Sequence, residues 1–416
     1  MSTAVASIYS LKTINVYLVV FGTALLLLGF PLTVLTGDKY HYYVFAAICV
    51  ALFVLNLSST ISLYKAAYII PFLVICAIHV FQTPIELPFI LSLLPYFILP
   101  MVFFNSSLVD IDLEPVMKLF HIFNFINLAG VLLQNFGVQS PFLYETLTVT
   151  EGEYHARFGS FAGGTLALGL VGCITAIHVF YKMIYLKQKT VYNYLVLICA
   201  WTTLLLGLSR RFYLITLLLM IIIYVFDSNK RLSIGKLVRM FVGAIVVLGL
   251  LIYVLWLFKD DHIVLRRAFS VFNFEADEGN IERAAKWLIA FQNFLDHFWT
   301  GMGMGAMGGV GKNYDQDTDM SEIYVAESYY LKMFVEGGVV FGAIFLVLMF
   351  IYLFKSFKAL RSRETALVAV LIILFFLDSI MGTSLEGPLG SMLFWIAVNK
   401  LLNASPQQAE QATPGT

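Results

Sequence analysis

Charge is scarce in this chain. Asp, Glu, Lys and Arg make up 12% of its 416 residues, while 60% are hydrophobic; soluble domains carry about 25% charged residues. A composition so short of charge and so rich in apolar residues reads as a polytopic membrane protein. Neither sign is in excess. The formal net charge is +0, which argues against a nucleic-acid partner, because such binders carry a basic surplus. Cysteine is sparse as well. Cys49, Cys76, Cys173 and Cys199 all lie in apolar runs and no CxxC or HExxH spacing occurs, so they read as small buried hydrophobes, not as a disulfide framework or a zinc site. A short signal-peptide core with a small-residue cleavage site is also missing. The first apolar run, 15–35, is too long for one and reads as a first span.

Apolar runs are what the chain has in abundance. A spanning helix needs roughly 20 apolar residues, and about a dozen segments approach that. They fall near 14–36, 42–59, 64–82, 86–105, 115–138, 161–185, 191–208, 211–227, 236–257, 326–354, 365–382 and 387–403. Pro88, Pro95 and Pro100 predict a kink in the fourth; His121, Asn124, Asn127 and Gln134 make the fifth less apolar. Loops holding Lys182, Lys187 and Lys189, then Lys230, Arg231, Lys236 and Arg239, then Lys355, Lys358, Arg361 and Arg363 share one side with both termini. By the positive-inside rule that side is the cytoplasm. The other side receives an acidic loop, 139–160, and one long insert, 258–325. The expectation is an all-α polytopic membrane protein of about twelve helices, a single transmembrane domain over 1–403 and a disordered polar tail, 404–416.

The long insert carries a pattern of its own. From Glu282 to Leu295, the residues Ala284, Trp287, Leu288, Phe291, Phe294 and Leu295 repeat at helical spacing, which predicts an amphipathic helix at the membrane interface. Gly301, Gly303, Gly305, Gly308 and Gly309 follow. They lack the Lys-Ser/Thr of a phosphate-binding P-loop and no strand precedes them, so a tight loop packed on the bundle is the favoured reading. Asn313 to Glu322 is acidic and reads as a lid. Asp315, Asp317 and Asp319 alternate as in a calcium loop, but the glycine and terminal glutamate of an EF-hand are misplaced. His155, His262 and His297 are outer histidines in no special setting.

Arginine is found on the side where it should be rare. Arg157, Arg210, Arg211, Arg266, Arg267 and Arg283 all fall at the outer surface on this topology, against the usual bias. An anionic ligand explains them, since guanidinium forks onto phosphate oxygens; interfacial snorkelling is the plainer alternative for any one of them. Of Arg210 and Arg211 one faces inward, because neighbours on a helix point about 100° apart. Arg266 and Arg267 carry a weaker claim. Glu327 opens the span after the insert, where a carboxylate suits the helix dipole or serves as a general base. Asp378 is a second outer carboxylate, expected to pair with an arginine, and Lys332 is expected to snorkel.

Three stretches together resemble one family. They are Arg157-Phe158-Gly159-Ser160-Phe161, Ser209-Arg210, and Arg283-x3-Trp287 followed by Gly301-x-Gly303-x-Gly305 and the run from Glu327-Ser328-Tyr329-Tyr330-Leu331 to Gly342. This order resembles the O-antigen ligase and polymerase superfamily of bacterial membrane glycosyltransferases, over roughly 157–345. Ligases of that superfamily resemble one another in a His-Asn pair where this chain has Glu327-Ser328, so the likeness leans toward Wzy-type polymerases. The resemblance implies a GT-C-like glycosyltransferase architecture, undecaprenyl-diphosphate-linked oligosaccharides as substrates, an active site on the periplasmic face of the inner membrane, membrane lipids and a chain-length regulator as partners, and neither cofactor nor metal. In that frame Glu327 is the base; Arg157, Arg210, Arg211 and Arg283 bind diphosphate; Arg266, Arg267, Tyr329 and Asp378 are accessory candidates. A ligase acting on lipid A core and a flippase of lipid-linked sugars are the alternatives.

Overall fold

The computed structural model describes residues 2–56, 63–82, 93–105, 108, 111–150, 153–207, 209–227, 278–307 and 326–403. The predicted ninth span, Arg266, Arg267, the acidic stretch 313–322 and the tail 404–416 lie outside these residues.

Helices dominate. In chain order they are α1 (Ser2–Leu27), α2 (Gly29–Thr36), α3 (Tyr40–Leu55), α4 (Leu63–Gln82), a π-helical turn (Leu94–Ile98), α5 (Leu99–Phe103), α6 (Glu114–Asn135), α7 (Thr165–Ile184), α8 (Val191–Leu206), α9 (Arg210–Phe226), α10 (Glu278–Asp296), α11 (Tyr329–Ala359), α12 (Arg363–Asp378) and α13 (Pro388–Asn403). Among the described residues, α4, α6, α7 and α11 contain segments long and apolar enough to cross a membrane, and the broken pair α1 and α2 makes up to five. The chain is a polytopic helical membrane protein. The first predicted span divides at Leu28 instead of running through, and the proline-rich fourth contains the π-helical turn, with Pro95 in it, ahead of α5.

One correction concerns the all-α expectation. Within 139–160 the chain forms an antiparallel hairpin of β1 (Tyr144–Thr150) and β2 (Glu153–Ser160). Thr146, Thr148, Val149 and Thr150 are β-branched residues, which favour pleated backbone. The register pairs Thr146 with Arg157, Thr148 with His155 and Thr150 with Glu153.

The chain divides into two compact units, one comprising 1–27, 38–116 and 283–416, the other 28–37 and 117–282. In the first, α11, α12 and α13 pack in succession and α4 lies against α11. Every residue of α12 from Ala366 to Phe375 is buried, as expected for a helix that is apolar all round. A row of amides ties one end of this unit. Asn15 and Asn56 exchange hydrogen bonds of 3.1 and 3.2 Å, Asn105 donates to the Asn56 carbonyl at 3.1 Å, Asn399 donates to the Asn105 carbonyl at 2.5 Å, and Asn403 donates to Asn399. Neutral amides are the cross-helix bonds a membrane interior tolerates. Asn56→Ala is expected to cost about 1 kcal/mol, read as a lower midpoint of thermal unfolding in detergent.

In the second unit, the polar residues of the fifth predicted span have partners. Gln134 donates to the Tyr144 carbonyl at 2.9 Å and accepts from Ser160 N at 3.2 Å, while Ser160 Oγ donates to the Asn127 carbonyl at 3.0 Å. These bonds seat the base of the hairpin on α6. One helical stretch earlier, His121 Nε2 meets His178 Nδ1 at 2.9 Å and His121 Nδ1 meets the Tyr192 hydroxyl at 3.2 Å.

Candidate active site

In the first unit the site begins with a broken helix. α11 starts at Tyr329, with Ser328 as its N-cap: Ser328 Oγ accepts from Leu331 N at 3.4 Å, the role serine commonly plays. The Tyr329 amide donates to the Ser379 and Gly382 carbonyls, both at 3.0 Å, which fixes the head of α11 to the end of α12. Nine residues on, Gly338 adopts φ +70°, and the helix breaks. Backbone exposed by a break at membrane depth must find partners within the protein. The glycine loop supplies them. Met302 N donates to the Val335 carbonyl at 2.8 Å, Gly303 N to the Glu336 carbonyl at 3.1 Å, and Val339 N to the Phe298 carbonyl at 2.8 Å. The strands of chain lie so close that a Cβ on Gly301 would sit 2.3 Å from the Glu336 carbonyl oxygen. This is the tight packing loop expected from the glycines.

The same contacts seat α10. Ala290, Met307, Ala326 and Val335 form one buried apolar cluster, with Phe294, Met302 and Leu331 against it. The buried side of α10 is offset from the apolar stripe read in the sequence: Ala290 is fully buried, whereas Leu288, Phe291 and Leu295 are exposed. Apolar residues that face lipid need no protein cover, so periodicity alone does not mark the inner face of such a helix.

Arg283 and Lys286 are two turns and one turn before Ala290, and both lean over Glu327. Arg283 Nε lies 2.6 Å from Glu327 Oε2 and Lys286 Nζ lies 3.6 Å from Oε1. The side chains are 40%, 13% and 29% exposed respectively, so the group is open to a ligand yet partly desolvated. Glu327 precedes the cap, and its oxygens meet cations. Lys286 was missed in the sequence. Its signal was available: it stands three residues after Arg283, and positions i and i+3 share a helix face.

The other candidates fall as follows. Arg210 and Arg211 head α9 in the second unit, both half-buried. The buried face of α9 runs through Phe212, Ile215, Thr216, Leu219 and Ile223, and Arg211 lies nearer to it than Arg210, with its guanidinium carbon 4.9 Å from the centre of the Phe212 ring. The head of α9 is held by close approach to α7, where a Cβ on Gly169 would meet Phe212 at 2.5 Å and Ser209 at 2.7 Å. Arg157 stands on β2 of the same unit. Tyr329 is a core residue, 3% exposed, its ring against Tyr96 and Phe345. Asp378 is buried at the end of α12 and accepts from Ser384 N at 3.2 Å, bracing the turn after that helix. Lys332 does not snorkel. It is 1% exposed and forms ion pairs with Glu336 and Glu386, because those carboxylates, not water, surround its ammonium group.

Spanning helices, and a carboxylate held by two cations at the head of one of them, describe a membrane protein with a partly exposed ionic group beside α11. A family model described as O-antigen ligase matches residues 195–346, and over that stretch the chain is similar to that family. Members of that family are glycosyl-transferring enzymes that act on lipid-linked oligosaccharides. The matched region holds Arg210, Arg211, Arg283 and Glu327; Arg157 and Asp378 lie outside it. No curated protein matches the chain.

Proposed function

We propose that this protein is a polymerase that joins polyprenyl-diphosphate-linked oligosaccharide repeats by inverting glycosyl transfer at the periplasmic face of the inner membrane. The observation that carries this reading is the Arg283–Glu327–Lys286 group, with its 2.6 Å and 3.6 Å contacts, inside the region matched to a glycosyl-transferring family.

A sugar diphosphate is an activated donor whose departing group gains negative charge. Fixed cations stabilise that charge as preorganised donors stabilise an oxyanion. Arg283 and Lys286 serve this purpose beside Glu327; Arg157, Arg210 and Arg211, in the second unit, are further proposed diphosphate ligands. The acceptor hydroxyl must lose a proton as the new C–O bond forms, and Glu327 takes it. At rest the base is paired with the cations that the donor needs. Donor diphosphate draws Arg283 away and leaves the carboxylate free, so Glu327 becomes available only when there is something to transfer. On the twelve-span topology expected from the sequence, this group would lie at the outer rim, with lipid tails remaining in the bilayer.

The ligase reading keeps one observation in its favour, the printed description of the matched family. Purified protein supplied with lipid-linked repeats, with and without a lipid A core acceptor, separates the two. Ladders of repeats formed in the presence of EDTA support a metal-independent polymerase; product on the core acceptor alone establishes the ligase. The Arg210→Ala, Arg211→Ala double variant is expected to lose at least tenfold in kcat/KM, as for lost charge-assisted contacts of about 1.5–3 kcal/mol. Unchanged kcat/KM removes these arginines from the site.

A further inference from the structure

Three charged side chains that this reaction does not use meet in the interior of the first unit. Lys332 is paired with Glu386, and its Nζ lies 3.4 Å from Glu336 Oε1; the three side chains are 1%, 10% and 0% exposed. Burying such charges costs several kcal/mol per ion before their attraction offsets it, so the arrangement calls for a reason beyond stability. Glu336 supplies one. Its Oε1 also accepts a hydrogen bond from Met307 N at 3.0 Å. Its carbonyl accepts from Gly303 N, and the neighbouring Val335 carbonyl accepts from Met302 N. One residue thus holds both ends of the described glycine loop, by backbone and by side chain. Met307 and Val335 belong to the cluster that seats Ala290 of α10, and Ala290 continues the face bearing Arg283 and Lys286.

We propose that Glu336 is a positioning residue: its carboxylate, paired with Lys332, clamps the glycine loop at Met307 and thereby keeps the α10 cations opposite Glu327. The inference rests on the assignment of that cation–carboxylate group as the reaction site. The side chain acts through the loop and touches no substrate. Lys332, itself anchored by Glu386, orients the carboxylate, and Gly301 and Gly303, with φ of +74° and +114°, let the loop lie against it.

The test uses the full chain in lipid nanodiscs, with amide hydrogen exchange over 298–307 and transfer assayed with lipid-linked repeats. Glu336→Leu removes the acceptor; Glu336→Asp keeps the charge but withdraws it by one methylene, and covers the case in which the leucine variant does not fold. Glu336→Gln keeps an oxygen for Met307 N. Exchange over 298–307 is expected to rise about tenfold in the leucine and aspartate variants while α7 stays protected. Their kcat should fall by a similar factor, with KM for the donor changing less, and glutamine should restore loop protection. The proposal is overturned by unchanged loop exchange in both variants, by equal loss of protection in α7, or by a loosened loop with wild-type kcat. If the wild-type protein transfers no glycan at all, the polymerase reading fails, and the exchange data still decide whether Glu336 clamps the loop.

Discussion

Glutamine at position 327 is expected to abolish glycan transfer and at the same time to tighten the hold on diphosphate. The two effects have one origin. Glu327 is the proposed proton acceptor, and removing a general base costs about 10²–10⁴-fold in rate. It is also the anion that occupies Arg283 and Lys286 in the free protein, at 2.6 and 3.6 Å. With the charge gone, an incoming diphosphate no longer competes for them. The pair is 40% and 29% exposed, so its attraction is screened and worth about 1 kcal/mol or less; the gain in affinity is therefore about two- to fivefold. Arg283→Ala should do the reverse to binding and weaken it about tenfold or more. Titration with undecaprenyl diphosphate, followed by single-turnover transfer, measures both quantities. A Glu327→Gln enzyme with wild-type turnover would remove Glu327 as the base. Weaker diphosphate binding in that variant would contradict competition for the cations.

Gly338→Ala should do severe structural damage. Its φ of +70° is a left-handed conformation, which costs a residue with a side chain about 1–2 kcal/mol. The new Cβ would also lie 2.3 Å from the Trp299 carbonyl oxygen and 2.9 Å from Gly301 N. Both are backbone atoms, so relief requires the loop to part from the break in α11 and give up its hydrogen bonds. The expected loss is about 3 kcal/mol or more, seen as reduced folded yield and a lower unfolding midpoint. Gly37, at φ +73° and ψ 0° with no atom within 4 Å of an added Cβ, gives the cost of a left-handed position free of close approach. A loss at Gly338 no larger than that of Gly37→Ala would show that the close approach contributes nothing.

Much of this architecture was legible before any coordinates. The helix around 282–295, the packing role of the glycines and the placing of Arg283 and Glu327 in one site followed from periodicity, glycine spacing and family resemblance. The misses share a physical cause. In a membrane protein the lipid-facing and protein-facing sides of a helix are both apolar, so the stripe of Leu288, Phe291 and Leu295 pointed away from the buried face. Lys332 reads as a snorkelling lysine because one of its partners, Glu386, is 54 residues distant; the other, Glu336 at i+4, was the signal available in the sequence. The hairpin at 144–160 was read as loop because charged and polar residues masked a run of β-branched ones. Gly338 follows Glu336 and Gly337 within the predicted span, and nothing local announces that Phe298 to Gly303 will occupy the break.

The asparagine row and the Lys332–Glu336–Glu386 group sit at opposite ends of α13, a helix about 24 Å long. One end is fastened by groups that never titrate and hardly sense ions, the other by charges. The two ends of this helix are therefore fastened by unlike chemistry, amide hydrogen bonds at one and buried ion pairs at the other.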